Sequence, residues 1–176
     1  VLVFVQDATT PKDTAKAFVD AGLGKYLFTH ERDNSWPSLR TMIRTQKRLF
    51  VLAEEKTAGA PPWYHQGFDL VQETPYTFTS VEALDAPASC AANRGTANSP
   101  LFQLNHWIER VNPSPGLARK VNAEKLLLAR ARRCARARGL KPNLVNVDFY
   151  DEGDVFKVVN VLNGIPADEK PFYARR

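Results

Sequence analysis

Apolar and polar positions alternate along the chain in short blocks, and the blocks read as strands followed by helices. Leu2 to Val5 is a buried-strand pattern with Gln6 and Asp7 at its end. Thr10 and Pro11 then open a helix whose apolar face is Ala15, Phe18, Val19 and Leu23, closed by Gly22 and Gly24. Lys25 to Phe28 reads as a short extended piece, and His30 to Ser35 as a polar loop. Trp36-Pro37-Ser38-Leu39 starts a second helix with Leu39, Met42 and Ile43 predicted inward. Arg48 to Ala53 is a clear strand ending in Glu54 and Glu55. A loop rich in Gly, Ala and Pro follows, holding Trp63, Tyr64 and His65.

Phe68 to Val71 reads as a shorter strand ending in Gln72 and Glu73. From Thr74 to Pro100 no period is visible beyond one helical turn at Val81 to Leu84, and a loop of that length implies a function or a pin. Leu101 to Leu104 is a strand ending in Asn105, His106 and Trp107. The longest helix pattern runs from Leu117 to Arg138, where Gly139 stops it. Asn143 to Tyr150 is the last strand, and Asp154 caps a closing helix that Gly164 ends; a polar, Pro-containing tail follows, expected on the surface. About five strands alternating with helices call for a parallel sheet.

Every strand ends in an acid or an amide. In parallel α/β architectures those ends converge on one rim, where chemistry is done. Gln6, Glu54, Glu73, Asn105, His106 and Tyr150 are therefore candidates to bind substrate, against the plainer reading that strands end polar because they return to water. Glu54 and Glu73 suit sugar hydroxyls, since carboxylates accept several hydrogen bonds. Asp148 is the sharpest catalytic candidate. It lies two residues before Tyr150, so strand alternation predicts both on one side, with Val145, Val147 and Phe149 on the other. Trp63, Tyr64 and Trp107 are candidate interfacial anchors or ordinary packing.

Composition narrows the classes. The chain has 176 residues, 44% apolar and 24% charged, as expected of a globular domain rather than a disordered one. No apolar run is long enough to span a bilayer. The formal net charge of +5 is moderate. The Arg-rich helix keeps an apolar stripe at Val121, Leu127, Leu128 and Ala131 and has no interleaved aromatics, so its cations read as a solvated face and not as a nucleic-acid site. Three histidines and two cysteines show no metal-ligand spacing. Cys90 and Cys134 are compatible with one disulfide, which would place the protein in an oxidising compartment, or with two buried thiols. The chain opens inside a strand pattern with no Met, the expectation for a mature, cleaved or partial chain.

Several motifs stand in one order: Trp36-Pro37-Ser38-Leu39, Gln72-Glu73-Thr74-Pro75-Tyr76, Cys90 with Asn93-Arg94-Gly95, Leu104-Asn105-His106-Trp107, and the run from Leu144 to Gly164. Together they resemble the X-domain family of phosphatidylinositol-specific phospholipase C, in its secreted branch of bacteria, fungi and plants. The resemblance implies an α/β fold, the C-terminal part of a (β/α)8 TIM-type barrel, with residues 1–176 as one partial domain. It implies that the two catalytic histidines sit on N-terminal strands outside this chain, in a complementary half that is possibly a separate chain, and that Asp148 orients one of them. This chain alone is then expected to be inactive. The implied reaction is general-base attack of the inositol 2-hydroxyl on phosphorus, giving a cyclic phosphate. The implied partners are a phosphoinositide-like or other phosphodiester substrate and, peripherally, a membrane surface. No cofactor is called for, although the family has a calcium-dependent branch and a divalent metal stays open. The cysteine near Asn93-Arg94-Gly95 resembles the secreted branch and favours the Cys90–Cys134 bridge and a secreted or extracytoplasmic location. Two alternatives stand beside this: a non-catalytic lipid- or glycan-binding module, and a glycerophosphodiesterase or sphingomyelinase-D-like enzyme built on a magnesium-binding acid cluster.

Overall fold

A computed structural model describes residues 1–6, 8–31 and 35–169. Asp7, part of the loop before Ser35 and the end of the polar tail lie outside the described residues. The chain divides into two compact units, Val1–Leu70 and Val71–Arg176.

In the first unit, β1 (Leu2–Val5) leads into α1 (Pro11–Asp20). The Thr10 hydroxyl accepts the Asp13 amide at 3.1 Å and Pro11 occupies the first turn, the capping expected from the sequence. A 3₁₀ turn (Gly24–Tyr26) and α2 (Leu39–Arg44) precede β2 (Phe50–Ala53), and β3 (Tyr64–Gln66) runs into a single turn, α3 (Gly67–Leu70). The three strands form a parallel sheet in the order β1-β2-β3. Alternation sends Val51, Ala53 and Tyr64 to one face, where they pack with Val3, Val5, Phe18 and Leu23.

The sequence pattern errs here in three places. Strand β3 lies in what reads as a loop, because three residues are too few to display a period. Phe68 to Val71 is mostly the α3 turn. Gly67 makes that turn possible: a Cβ there would stand 2.6 Å from the Phe4 ring and 2.7 Å from the Ala53 carbonyl. On α2, Leu39 and Ile43 face outward at 78% and 58% exposure, and Val19 of α1 is also exposed. A six-residue helix can bury only one narrow stripe.

In the second unit, β4 (Val71–Glu73), β5 (Leu101–His106) and β6 (Leu144–Val147) form a parallel sheet in that order. Between β4 and β5 lie α4 (Val81–Asp85) and a 3₁₀ turn (Pro87–Cys90). Between β5 and β6 lie α5 (Pro115–Val121) and α6 (Glu124–Arg138), and α7 (Val155–Leu162) follows β6. Phe102, Leu104, Val145 and Val147 pack one face of the sheet against Leu127, Ala131, Val155 and Val158. Cys90 and Cys134 are joined by a disulfide inside that core, so the long segment after β4 is pinned to α6. It is pinned again where Asn93–Gly95 runs along β4: the Glu73 amide donates to the Arg94 carbonyl and the Asn93 amide to the Glu73 carbonyl, both at 3.1 Å.

The helix expected from Leu117 to Arg138 is two helices. Asn122 turns the chain and its side-chain amide donates to the carbonyls of Asp148 (3.0 Å) and Glu152 (3.1 Å). Asp154 occupies the N-cap position of α7 as expected, but its side chain accepts the Glu124 amide of α6 at 2.9 Å rather than an amide of its own helix. The basic residues of α6 do not all lie on a solvated face. Arg130 is fully buried, Arg138 donates to the Gln72 amide oxygen at 2.6 and 2.9 Å, and Arg133 pairs with Asp85. Strand β6 stops at Val147, and Phe149 takes a left-handed φ of 49°. Alternation therefore does not continue to Tyr150, and Phe149 is exposed rather than part of the apolar face.

Candidate functional site

The face of the second sheet opposite the helices is polar. The register sets Glu73 beside Gln103 and Asn105 beside Asn146. Glu73 is fully buried, and its carboxylate accepts five hydrogen bonds: from Arg94 Nε (2.6 Å) and Nη2 (3.3 Å), Asn93 Nδ2 (2.8 Å), Gln103 Nε2 (3.2 Å) and Asn105 Nδ2 (2.9 Å). A buried carboxylate is tolerable only with such compensation. Asn105 also donates to the Thr74 carbonyl at 2.8 Å and accepts from Gln103 at 3.0 Å. The Arg94 guanidinium lies 5.0 Å from the Tyr76 ring centroid, and Tyr76 stacks with Trp107 at 6.3 Å. The sheet thus carries an amide-and-carboxylate layer edged by two aromatic rings.

Asp148 stands one residue past the end of β6, half-buried beside Trp107 and Ile108 of the β5 exit and Leu117, Ala118 and Val121 of α5. Its carboxylate makes no hydrogen bond among the described residues, and burial pushes its pKa above the usual carboxylate value. It is not hydrogen-bonded into the Glu73 network. Trp107 adjoins both groups, through Tyr76 on one side and the Asp148 pocket on the other. Tyr150 is 66% exposed and meets Phe156 edge-on at 6.1 Å.

Asn105 and His106 are adjacent on one strand, so they face opposite ways and do not share a rim. His106 points into the helical side with no exposure. Its Nε2–H donates to the Val121 carbonyl at 2.9 Å, and its Nδ1 accepts from Arg130 at 3.2 Å. That pairing selects the neutral imidazole. Burial, with Arg130 alongside, lowers the His106 pKa to about 4. Arg130 also donates to the carbonyl of Asn105 and to Ser89, and burial lowers its own pKa to about 9, still charged at neutral pH.

In the first unit, Gln6 is exposed beyond β1, and Glu54 is half-buried beyond β2, its carbonyl accepting from Gln66 at 3.0 Å. His65 accepts the His30 amide on Nε2 at 2.9 Å and donates from Nδ1 to the Val51 carbonyl at 3.1 Å. His30 stacks on Trp36 at 3.9 Å. Burial depresses both imidazole pKa values. Among the described residues no three His, Cys, Asp or Glu side chains form a metal-binding group, and no helix is long and apolar enough to cross a membrane.

Four members of the Glu73 network and its sheet face escaped the sequence reading as site residues: Asn93, Arg94, Gln103 and Asn146. A signal existed for two of them. Gln103 and Asn105 are polar at a spacing of two within an apolar strand, and Asn146 interrupts Leu144-Val145-Val147.

Comparison with known proteins places these residues in context. A family model described as PI-PLC X matches residues 1–163. "PI-PLC X domain-containing protein 1" of Arthroderma benhamiae is 30% identical over 172 residues, covering 85% of this chain and 54% of the relative. An "Uncharacterized secreted protein" of the same fungus is 24% identical over 172 residues, covering 85% of this chain and 39% of that protein. The chain thus spans about half the length of the first relative and less of the second. No solved structure matches it.

Proposed function

The chain belongs to the PI-PLC X domain family, and from that premise we propose that it forms part of a phosphodiesterase of the phosphatidylinositol phospholipase C type. The two parallel sheets are compatible with arcs of the (β/α)8 barrel that the family resemblance implies. The observation that carries the reading is Asp148: a half-buried carboxylate at a strand end, next to Trp107, with no hydrogen-bonding partner among the described residues. Such a group is suited to receive the N–H of an imidazole and hold its far nitrogen toward a hydroxyl.

That imidazole comes from outside this chain. His65 and His106 each have both ring nitrogens committed to protein groups, and His30 is stacked on Trp36. The donated histidine takes the proton of the inositol 2-hydroxyl, whose oxygen bonds to phosphorus as the bond to the lipid alkoxide breaks, leaving a cyclic phosphate. Asn146, exposed at the edge of the layer, offers its amide to sugar hydroxyls, while Gln103, Asn105 and Arg94 hold Glu73. The disulfide and a relative described as secreted support an extracytoplasmic setting.

The test is turnover of phosphatidylinositol by the longer protein and its Asp148→Asn variant. A loss in kcat of about a hundredfold or more with little change in KM supports the role. Unchanged kcat refutes it. The committed histidines also favour a second reading, a non-catalytic lipid- or glycan-binding module, and binding without turnover by the longer protein selects it.

A further inference from the structure

The segment from Trp36 to Arg48 carries Arg40, Arg44, Lys47 and Arg48 and no acid. Among the described residues Arg40, Arg44 and Lys47 form no ion pair, and all four cations are exposed. Between them α2 turns Leu39 and Ile43, one helical turn apart, out to solvent at 78% and 58% exposure. Beside the helix opens a cavity of about 380 Å³ with Leu27, Phe28, Pro37 and Met42 on its wall and Lys47 at its edge. Branched apolar side chains held outward by a capped helix gain nothing from water, and unpaired cations around them raise the local positive potential.

We propose that this face docks on an anionic phospholipid surface. Leu39 and Ile43 enter the acyl boundary, and Arg40, Arg44 and Lys47 meet lipid phosphates. The helix leads into the N-terminal end of β2, so the contact lies at the opposite end of that strand from Glu54. It is therefore separate from the polar C-terminal end of β2, and it stands whether or not the chain takes part in turnover.

The experiment is cosedimentation with phosphatidylcholine vesicles containing or lacking phosphatidylserine, at low and high salt. Binding is expected only with the anionic lipid and is expected to fall with salt. Arg40→Gln with Arg44→Gln should weaken it about thirtyfold, at roughly fivefold per cation. Leu39→Ser with Ile43→Ser should weaken it at every salt concentration. Thermal melts verify that both variants fold, which surface positions should allow. Absence of binding to anionic vesicles overturns the proposal, as does binding that neither double variant changes. A dimer in light scattering that Leu39→Ser with Ile43→Ser dissolves also overturns it, since the face then belongs to a second copy.

Discussion

Acid should loosen this protein through His106. The ring is enclosed on the helical side of β5 and held neutral, with Arg130 donating to Nδ1 and Nε2–H donating to the Val121 carbonyl. A proton on Nδ1 would abolish the Arg130 bond and set two cations about 3.2 Å apart in a buried space. The pKa falls from 6.5 to about 4, so the folded state binds this proton less readily than the unfolded chain. Stability from this group is complete above the unfolded value, is lost as pH drops from 6.5 toward about 4, and is constant below. At 1.36 kcal/mol per unit the loss is about 3 kcal/mol. Urea unfolding of wild type and His106→Gln, measured from about pH 7 to about pH 4, isolates it. Glutamine retains a donor for Val121 and an acceptor for Arg130 but does not titrate. The opposing contribution of Asp148, whose raised pKa favours the folded state at low pH, is common to both proteins and cancels in the difference. Wild type should lose about 3 kcal/mol more than the variant across that window at equal m-values. Identical pH dependence in the two proteins would show that His106 is not held neutral as described.

Three further outcomes follow from packing. Replacing Cys90 and Cys134 by Ser frees a loop of sequence separation 44, which chain-entropy reasoning values at about 4 kcal/mol; an unfolding midpoint insensitive to reduction would contradict it. Gly95→Ala should cost about 2 kcal/mol or more by chemical denaturation, because φ is +79° and the new Cβ would lie 2.1 Å from the Val71 carbonyl oxygen. Glu73→Gln should cost about 3 kcal/mol, since an amide presents N–H where Arg94, Asn93, Gln103 and Asn105 all donate; a loss under about 1 kcal/mol would mean the network relaxes freely.

What the sequence displays well is what is local and repeated. The Thr10 cap, the Pro11 start, the 2–5 strand and the Gly139 stop all appear where local rules put them, because backbone dihedrals and capping bonds are decided within a few residues. What it hides is decided from far away. Asp154 stands at the N-cap position of its own helix, as local rules put it, but its side chain serves α6 by accepting the Glu124 amide, a partner thirty residues away in sequence. Asn122 splits a helix whose residues have ordinary propensity, drawn by carbonyls about thirty residues later in sequence. Asp148 and Tyr150 are assigned one side by a period that Phe149 interrupts, and no pattern of apolar positions encodes a single left-handed residue. For the site, residue types were legible and partners were not. Glu73 and Asn105 stand out as strand-end polar residues, but their joint commitment to Arg94 depends on a strap that returns from twenty residues away.

The polar layer itself bears on function. A sheet of this kind is most stable with apolar side chains on both faces, and the helical face follows that rule with Phe102, Leu104, Val145 and Val147. The other face carries Glu73, Gln103, Asn105 and Asn146, although burying a carboxylate costs several kcal/mol before its partners compensate. Five donors, a pinned strap, a left-handed glycine at position 95 and a disulfide are all arranged to hold that face in one geometry. An apolar layer would need none of them. Under the proposed function, that fixed geometry is what holding a hydroxyl-rich ligand would require. The same reasoning separates His106 from the site: it too is buried and fully bonded, but on the face where the partners are Val121 and Arg130, and where its work is to join β5 to the helices.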